Sequence, residues 1–185
     1  MKKIMITFSL LLSAMAACAQ EWEIVGDAYE RKEVVEVEGA SASVLYDRAM
    51  IALSEWTGSD GQSKMGIDYQ NMETHTLIYK GTCHLSFKNV LLGAGWNRYL
   101  NFTLKVRCKD GKAQQTLSLG SVRAVYTNNR AEKEVSMKEI VDNMAKTTNK
   151  KRLDFFADVM ETANGIMASL ADRLKGNGTS NDDDF

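Results

Sequence analysis

The dipeptide Asp110-Gly111 restricts the fold of this chain more than any other feature, because it lies between two segments in which apolar and polar residues alternate. Asp-Gly favours a two-residue turn between antiparallel strands, a turn that requires positive φ at both positions. The turn places the following residues opposite one another: Lys109 and Lys112, Leu104 and Leu117, and Phe102 and Leu119. In this register the apolar side chains share one face, which predicts an antiparallel sheet covered on one side only.

Further strands are predicted on both sides of this hairpin. Residues 77–87 alternate most clearly, residues 33–38 alternate between valine and glutamate, and residues 64–72 form a weaker candidate. After Gly120 the apolar positions change phase, so we expect a β-bulge near that glycine. These segments predict a sheet of about five strands.

Residues 40–57 are predicted to form an amphipathic helix after the first strand. Their apolar residues recur at steps of three and four, the helix period: Leu45, Ala49, Ala52, Leu53 and Trp56. Ser41 or Ser43 can cap the first turn, since a serine oxygen accepts a backbone N–H that lacks an intrahelical partner. A helix of this length is marginal alone in water, so we expect its apolar side to pack on the sheet.

Two further helices are predicted towards the C-terminus. Ser136-x-x-Glu139 is a capping box, and a longer helix spans about residues 150–175. The apolar residues of the longer helix again follow the helix period: Leu153, Phe156, Met160, Ala163, Met167, Leu170 and Leu174. Such a stripe either packs on the sheet and the first helix, or forms a coiled-coil seam with a second copy and so a homodimer.

The first 19 residues have the properties of a secretory signal peptide, with two lysines, an apolar run from Ile4 to Leu12 and then small residues. Ala17-Cys18-Ala19 fits a cleavage site before Gln20. Met15-Ala16-Ala17-Cys18 resembles the bacterial lipoprotein box, which would make Cys18 a lipidation site. In either case we expect an exported protein of the periplasm or cell envelope, soluble after simple cleavage or tethered by the lipid.

The rest of the chain divides by composition. Residues 20–32 are a polar lead-in, residues 33–127 the α+β domain, residues 128–175 the C-terminal helices packed on it, and residues 176–185 a disordered acidic tail. An apolar fraction of 44% and a charged fraction of 25% are typical of a globular domain. With a formal net charge of −1, the chain is a poor candidate for binding nucleic acid.

No familiar catalytic or cofactor-binding motif occurs in the sequence. HExxH, GxSxG, CxxC and a glycine-rich phosphate loop are all missing, and the only histidines are His75 and His84. We therefore expect no catalytic residues, no cofactor and no metal. Glu36 and Glu38 fit a solvated edge better than a metal site, because no His or Asp lies near them in the sequence. An enzyme would need groups that converge from distant strands.

Several segments resemble one family of secreted Gram-negative proteins. They are Val34-Val35-Glu36-Val37, Ser43-x-Leu45-Tyr46-Asp47-Arg48-Ala49, Ile78-Tyr79-x-Gly81-Thr82, Phe102-Thr103-Leu104 and Lys109-Asp110-Gly111-Lys112. The family is domain of unknown function 4468, which has a TBP-like fold, and the resemblance covers residues 34–126. It implies a curved sheet in the order strand, helix, four strands, helix, with the helices on one face. It implies no activity.

Two surfaces are candidates for binding. The uncovered sheet face collects basic and aromatic residues: Lys80, His84, Lys88, Tyr99, Lys105 and Arg107. They could bind an acidic glycan, an anionic lipid head group or an acidic protein, or could form an ordinary solvated face. The loop 89–97 is unusually apolar, with Val90, Leu91, Leu92 and Trp96. This loop either inserts into a partner or a membrane interface, or folds over the open face.

The two cysteines after the leader, Cys83 and Cys108, are both expected to face the core. They could form a disulfide in an oxidising compartment, or they could remain buried thiols. The estimated strand register opposes the disulfide, because it leaves the two positions too far apart.

These observations predict a single exported α+β domain with a TBP-like sheet, helices on one face and a long C-terminal helix. The leading hypothesis for its function is a non-catalytic binding or adaptor module of the cell envelope. The alternatives are a small hydrolytic or glycan-acting enzyme with a convergent site, and a structural spacer that dimerises through the last helix.

Overall fold

The computed structural model describes residues 21–56, 66–85, 96–126 and 132–177, and its centre is one antiparallel sheet of seven strands. In chain order the strands are β1 (Glu23–Val25), β2 (Ala28–Glu36), β3 (Gly66–Asn71), β4 (Thr76–His84), β5 (Trp96–Lys109), β6 (Lys112–Tyr126) and β7 (Glu132–Ser136). Their order across the sheet is β1-β2-β6-β5-β4-β3, and β7 also pairs with β6. β2 pairs with residues 112–119 of β6, and β7 pairs with residues 121–125.

The β5–β6 hairpin forms in the predicted register, with all three predicted pairs opposite one another. A register shift between Asn101 and Phe102 leaves Gly120 without an opposite residue, so the bulge expected there is confirmed. The turn itself differs from the expectation. Gly111 has a φ of 77°, but Asp110 is not among the described residues with positive φ. Asp110 and Gly111 both hydrogen-bond to residues 40–42, where the first helix begins.

Three helices accompany the sheet: α1 (Ala42–Trp56), α2 (Met137–Met144) and α3 (Lys150–Leu174). α1 contacts β3, β4, β5 and β6, and α3 packs on α1 and β6. The predicted caps are present, since Ser41 Oγ accepts the N–H of Val44 and Ser136 Oγ accepts the N–H of Glu139. The sheet and its helices therefore form the two-layer α+β arrangement that the sequence predicts.

The apolar stripe of α3 packs against other parts of the same chain. Of the two predicted alternatives, packing on the sheet and the first helix is therefore the one present. The side chains of α3 that are buried there are Val159, Ala163, Met167, Leu170, Ala171 and Leu174. Leu153, at the start of the predicted stripe, is exposed. The helix thus closes the core along most of its length, and its first turn projects beyond it.

The core lies between the helices and the inward face of the sheet. Leu45 and Leu53 of α1 meet Leu77 and Tyr79 of β4, all fully buried. Each buried side chain of this size stabilises the fold by about 1.5–3 kcal/mol. Gln115 is a buried polar residue in this layer, and its Nε2 donates to the carbonyl oxygen of Met167 in α3 at 3.2 Å.

The predictions of five strands and of a lead-in over residues 20–32 are wrong, because β1, the start of β2 and β7 were missed. β2 carries charged residues even on its core side, where Arg31 Nη1 donates to Asn164 Oδ1 of α3 at 2.9 Å. β7 is the polar sequence EKEVS. Residues 28–32 of β2 and the whole of β7 lack the alternation of apolar and polar residues that marks a strand, so only their pairing with β6 identifies them.

Candidate functional site

The sheet face that points away from the core, here called the open face, carries polar and charged side chains arranged in rows across the strands. One row runs through Asn71, Thr76, Arg107, Gln114 and Val34. The next row runs through Tyr69, Ile78, Lys105, Thr116 and Lys32. The buried residues alternate with these along each strand, as expected for a sheet covered on one side.

Five of the six residues predicted to share this face do so: Lys80, His84, Tyr99, Lys105 and Arg107. They do not form one patch. Tyr99 and Arg107 are eight residues apart on β5, which corresponds to about 27 Å in an extended strand. The open face therefore has two separate ends.

The end that contains Tyr99 is filled by its own neighbours. Tyr99 is only 9% exposed. The ring of His84 packs edge-on against it at 5.5 Å, and the guanidinium of Arg123 lies 5.1 Å from the ring centre. Arg123 in turn forms an ion pair with Glu132 at 3.6 Å. This tyrosine is a packed residue, so the prediction that it is part of an accessible binding surface is wrong.

Polar side chains occupy the row beside Tyr99. Asn101 Nδ2 donates to both Ser121 Oγ and Glu134 Oε1 at 3.0 Å, and its Oδ1 accepts from Thr82 at 2.9 Å. The hydroxyl of Ser121 also donates to Glu134. These side chains satisfy one another across four strands, which makes this part of the face a structural network.

The opposite end of the open face is basic. Lys105, Arg107 and Lys109 project from alternate positions of β5, and Lys112 lies directly opposite Lys109 on β6. We call these four residues the basic cluster. Like charges directly opposite in a sheet destabilise it, so stability alone gives no reason for this arrangement.

A groove of about 570 Å³ adjoins the basic cluster. It lies where the β5–β6 hairpin, the turn between β3 and β4, and the start of α1 meet. Its lining combines three cations with hydroxyl, amide and imidazole groups: Val34, Ala42, Thr74, His75, Arg107, Cys108, Lys109, Asp110, Lys112 and Gln114. The volume is that of an ordinary small-ligand site.

The cations of the basic cluster differ from many others on the surface in having no ion pair within the described residues. Lys80 pairs with Asp68 at 3.0 Å and Lys32 with Glu23 at 3.1 Å, both on the same face. Glu36 is opposite Lys112 in the register of β2 and β6, but the two form no ion pair. Among the described residues that line the groove, three cations stand against one carboxylate, so this lining has a net positive charge.

Asp110 is the only carboxylate among the described residues that line the groove, and it is already engaged. Its Oδ1 accepts the backbone N–H of Ala42 at 2.8 Å, which caps α1. The N–H of Gly111 donates to the carbonyl of Ala40 at 2.8 Å. These contacts fix the hairpin tip against the start of α1 and so position Lys109 and Lys112.

The opposite wall of the groove contains a strained backbone position. His75 has a φ of 45°, the one non-glycine residue with positive φ in the described part of the chain. Its carbonyl accepts the N–H of Cys108 at 2.9 Å, and its ring packs edge-on against Tyr46 at 5.9 Å. The β3–β4 turn is thereby held against β5.

Two buried titratable side chains lie in this region, Cys108 in the groove lining and Tyr46 against the ring of His75. Burial raises the pKa of the Cys108 thiol to about 11. Burial also raises the pKa of the Tyr46 hydroxyl, with smaller contributions from Asp47 and Cys108. A thiol with a raised pKa is a poor nucleophile at neutral pH, so Cys108 contributes packing and not reactivity.

Cys83 and Cys108 are not joined to each other, so the disulfide, the alternative that the strand register opposed, does not form in this fold. Cys83 lies opposite Leu100 of β5, eight residues before Cys108 on that strand. That separation is about 27 Å, whereas a disulfide needs Cα atoms within about 7 Å. The register estimated from the sequence left four residues between the two positions, and the actual register doubles that distance.

Four residues of the basic end were not predicted: His75, Lys109, Lys112 and the exposed Tyr69. The hairpin register was a usable sign for the two lysines, since it places them opposite each other. Nothing local indicated Tyr69, because alternation from Ile67 directs both side chains to the core. A register shift between Ile67 and Tyr69 instead turns Tyr69 to the open face, where it is opposite Ile78.

Several predicted functional positions lie outside the described residues or the described side chains. They are Cys18, Lys88, and Val90, Leu91 and Leu92 of the apolar loop. Trp96 is the first residue of β5, and only its backbone position is described. The loop, lipidation and leader hypotheses therefore stay predictions.

The described residues contain no group of three His, Cys, Asp or Glu side chains that could hold a metal ion. Of the helices in residues 21–56, 66–85, 96–126 and 132–177, none is both long enough and apolar enough to cross a membrane.

Comparison with known proteins agrees with this architecture. Residues 32–120 match the family described as "Domain of unknown function (DUF4468) with TBP-like fold". The match covers 89 of the 185 residues of the chain. It spans β2 to most of β6 and includes the basic cluster, so the resemblance found in the sequence is confirmed. No curated protein matches the chain.

Two crystal structures are similar to this fold. A DUF4468 family protein from Bacteroides ovatus has a TM-score of 0.67 at 16% sequence identity, and the match covers 83% of this chain and 90% of that one. A TBP-like protein from Parabacteroides distasonis has a TM-score of 0.62 at 14% identity, with 83% of this chain and 96% of that one covered. At these identities the likeness establishes the fold and nothing about ligands.

Proposed function

We propose that this protein is a non-catalytic binding module of the cell envelope that holds an anionic partner at the basic end of its open sheet face. The observation that carries this proposal is the basic cluster: four cations on adjoining positions of two strands, without ion pairs among the described residues. The chain has a formal net charge of −1, so this cluster is a local departure from its average charge.

The positive charges of such a cluster attract an anionic partner and orient it. A single exposed ion pair contributes only about 0–1 kcal/mol, because water screens it. Several cations beside a groove act together, raise the local concentration of an anion and discriminate against cations. The interaction should weaken as salt is added, since the screening length is about 8 Å at physiological ionic strength.

The leader predicted from the sequence supports an envelope location for this activity. Lys2 and Lys3, the apolar run after them and the small residues up to Ala19 have the pattern of a cleaved leader. An exported domain with an anion-binding surface would meet acidic components of the envelope. We assign no catalytic role, because neither the motifs of the sequence nor the groove lining pairs a nucleophile with a base.

Two double variants with the same net charge test this proposal. Arg107→Gln with Lys109→Gln removes two charges from the groove, and Lys150→Gln with Lys151→Gln removes two exposed charges from the first turn of α3. Each is loaded on a column of immobilised phosphate groups and eluted with sodium chloride. We expect the groove variant to elute at clearly lower salt than the wild type, and the helix variant to elute near the wild type. Equal elution of the two variants would refute the assignment.

A further inference from the structure

We infer that the basic end recognises an acidic polysaccharide whose sugar rings carry carboxylates. This inference rests on the proposed anion-binding function and names the ligand class of the same surface. It comes from what lies beside the cations on the same open face: an exposed aromatic ring, and the amide and hydroxyl side chains of Gln114 and Thr116.

The aromatic ring belongs to Tyr69, and a β-bulge places it there. Ile67 is opposite Tyr79 and packs against the core, so regular alternation would bury Tyr69 as well. The register shift between the two residues turns Tyr69 outward, where it is 47% exposed. Bulges that redirect one side chain are common next to functional sites. Asn71 Nδ2 donates to the Tyr69 hydroxyl at 3.2 Å, which orients the ring along β3.

The rows of the open face bring this ring beside the cations. Tyr69, Ile78 and Lys105 are consecutive members of one row, on strands β3, β4 and β5. Neighbouring strands are about 4.8 Å apart, so the backbones of Tyr69 and Lys105 are separated by about 10 Å. Arg107 lies in the adjoining row. A sugar ring stacked on Tyr69 would place its substituents within reach of both cations.

Two neutral hydrogen-bonding side chains, Gln114 and Thr116, lie in these rows beside the cations. Thr76 is buried in the same rows, and Asn71 is engaged by Tyr69 and by the backbone N–H of Thr74. Amide and hydroxyl side chains both donate and accept, which suits the hydroxyl groups of a sugar. Arg107 adds the planar fork that binds a carboxylate through two hydrogen bonds.

A protein partner fits this surface less well. Stable protein interfaces depend on large apolar or aromatic anchors that enter fully desolvated pockets. The two rows contain two aliphatic side chains, Ile78 and Val34, and both are already half-buried within the sheet. A flat polar face with one aromatic ring and several cations is better matched to a chain of charged, hydroxylated rings.

Isothermal titration calorimetry of the purified protein with oligogalacturonate tests the inference. Poly-glutamate of matched charge serves as the competing anion and dextran as the neutral polysaccharide. Arg107→Gln removes the carboxylate fork, and Tyr69→Ala removes the ring. Lys151→Gln and Ile51→Ala are the matched controls, since they remove an exposed charge from α3 and an exposed apolar side chain from α1.

We expect oligogalacturonate to bind, and both Arg107→Gln and Tyr69→Ala to weaken it by about tenfold, the effect of one lost charge-assisted or aromatic contact. Neither control should weaken it. Poly-glutamate binding that depends on Arg107 and not on Tyr69, with no preference for the glycan, would overturn the polysaccharide inference and leave the anion-binding function standing. Failure of both polyanions to bind would overturn both.

Discussion

The carboxylate of Asp110 accepts the backbone N–H of Ala42 at 2.8 Å, so the tip of a β-hairpin caps a helix that lies 68 residues earlier in the chain. Two backbone hydrogen bonds reinforce this contact, from Gly111 to Ala40 and from Val37 to Gly111, each at 2.8 Å. The β2–α1 connection and the hairpin are thus one unit. Because Ala42 and Asp110 also line the groove, the same contact that stabilises α1 shapes the proposed site.

Asp110→Ala should therefore lower the free energy of unfolding by about 1 kcal/mol, the usual effect of losing a helix cap. Asp110→Asn retains an acceptor oxygen and should lose much less. Urea denaturation of the three proteins checks this. If Asp110→Ala unfolds at the same urea concentration as the wild type, the contact with Ala42 does not cap the helix.

Arg48 joins the two long helices at their ends, and its loss should be costly. Its Nη1 donates to the carbonyl of Leu174 at 2.9 Å, in the last turn of α3. Arg48→Met should destabilise the protein by about 1.5–3 kcal/mol, since a hydrogen bond to a charged group is lost and a carbonyl is left unsatisfied. The matched control is Arg173→Met, which breaks the more exposed pair with Glu55 and should cost about 0–1 kcal/mol. Thermal unfolding curves that rank the two variants in the opposite order would contradict this role of Arg48.

Gly81 allows an aromatic ring to lie on the sheet. A Cβ at this position would come within 2.5 Å of Phe102 Cζ, and the ring of Phe102 is buried. Gly81→Ala should therefore destabilise the protein by about 1–3 kcal/mol through overpacking.

The combination of Gly81→Ala with Phe102→Leu tests the cause. If the ring is the obstacle, the double variant should be more stable than the sum of the two single effects predicts. Gly66→Ala is the control on the neighbouring strand, because a Cβ there meets nothing within 4 Å. Denaturation midpoints that place Gly81→Ala level with Gly66→Ala would show that Phe102 moves aside without cost.

The buried thiol of Cys108 should make stability depend on pH in the alkaline range. Its pKa is about 11 in the folded protein, against 9.0 as the ordinary value. The unfolded chain ionises first, so the stabilising contribution is complete below about pH 9 and is lost as the pH rises through 11. The full effect is on the order of 2–3 kcal/mol.

Cys108→Ala isolates this contribution from the titration of lysines and tyrosines. The difference in unfolding free energy between wild type and variant should shrink between pH 8 and pH 11. Iodoacetamide should also label native Cys108 very slowly at pH 8. A constant difference across this range, together with rapid labelling, would mean that Cys108 is not a buried neutral thiol.

The leader makes a separate prediction about the exported protein. We expect cleavage after Ala19, so that the mature chain begins at Gln20 and contains two cysteines, Cys83 and Cys108. Intact-mass spectrometry of protein purified from the envelope fraction measures this directly. A mass that corresponds to a chain starting at Cys18 with an attached diacylglycerol would replace a soluble module with a membrane-tethered one.

The sequence was sufficient wherever a local pattern and the tertiary environment agree. Apolar residues at helix spacing located α1 and α3, and Ser136 marked the start of α2. Asp110-Gly111 fixed fourteen residues of β5 against β6, including the bulge at Gly120. In each case the signal is local: the spacing of apolar residues within one segment sets the buried face of a helix, and a two-residue turn sets the register of the hairpin.

Only the tertiary structure decided which polar segments join the sheet and which side chains form the groove. β1 and β7 carry no apolar alternation, and they join the sheet because β2 offers its edge to β1 and the long strand β6 offers its edge to β7. The bulge before Tyr69, the cap from Asp110 and the eight-residue separation of the two cysteines depend on contacts between distant segments. The sequence determined which faces are apolar, because burial of apolar surface follows local periodicity. Folding decided where the unpaired charges gather, because a charge is neutralised or left exposed by whatever residue the other strands place beside it.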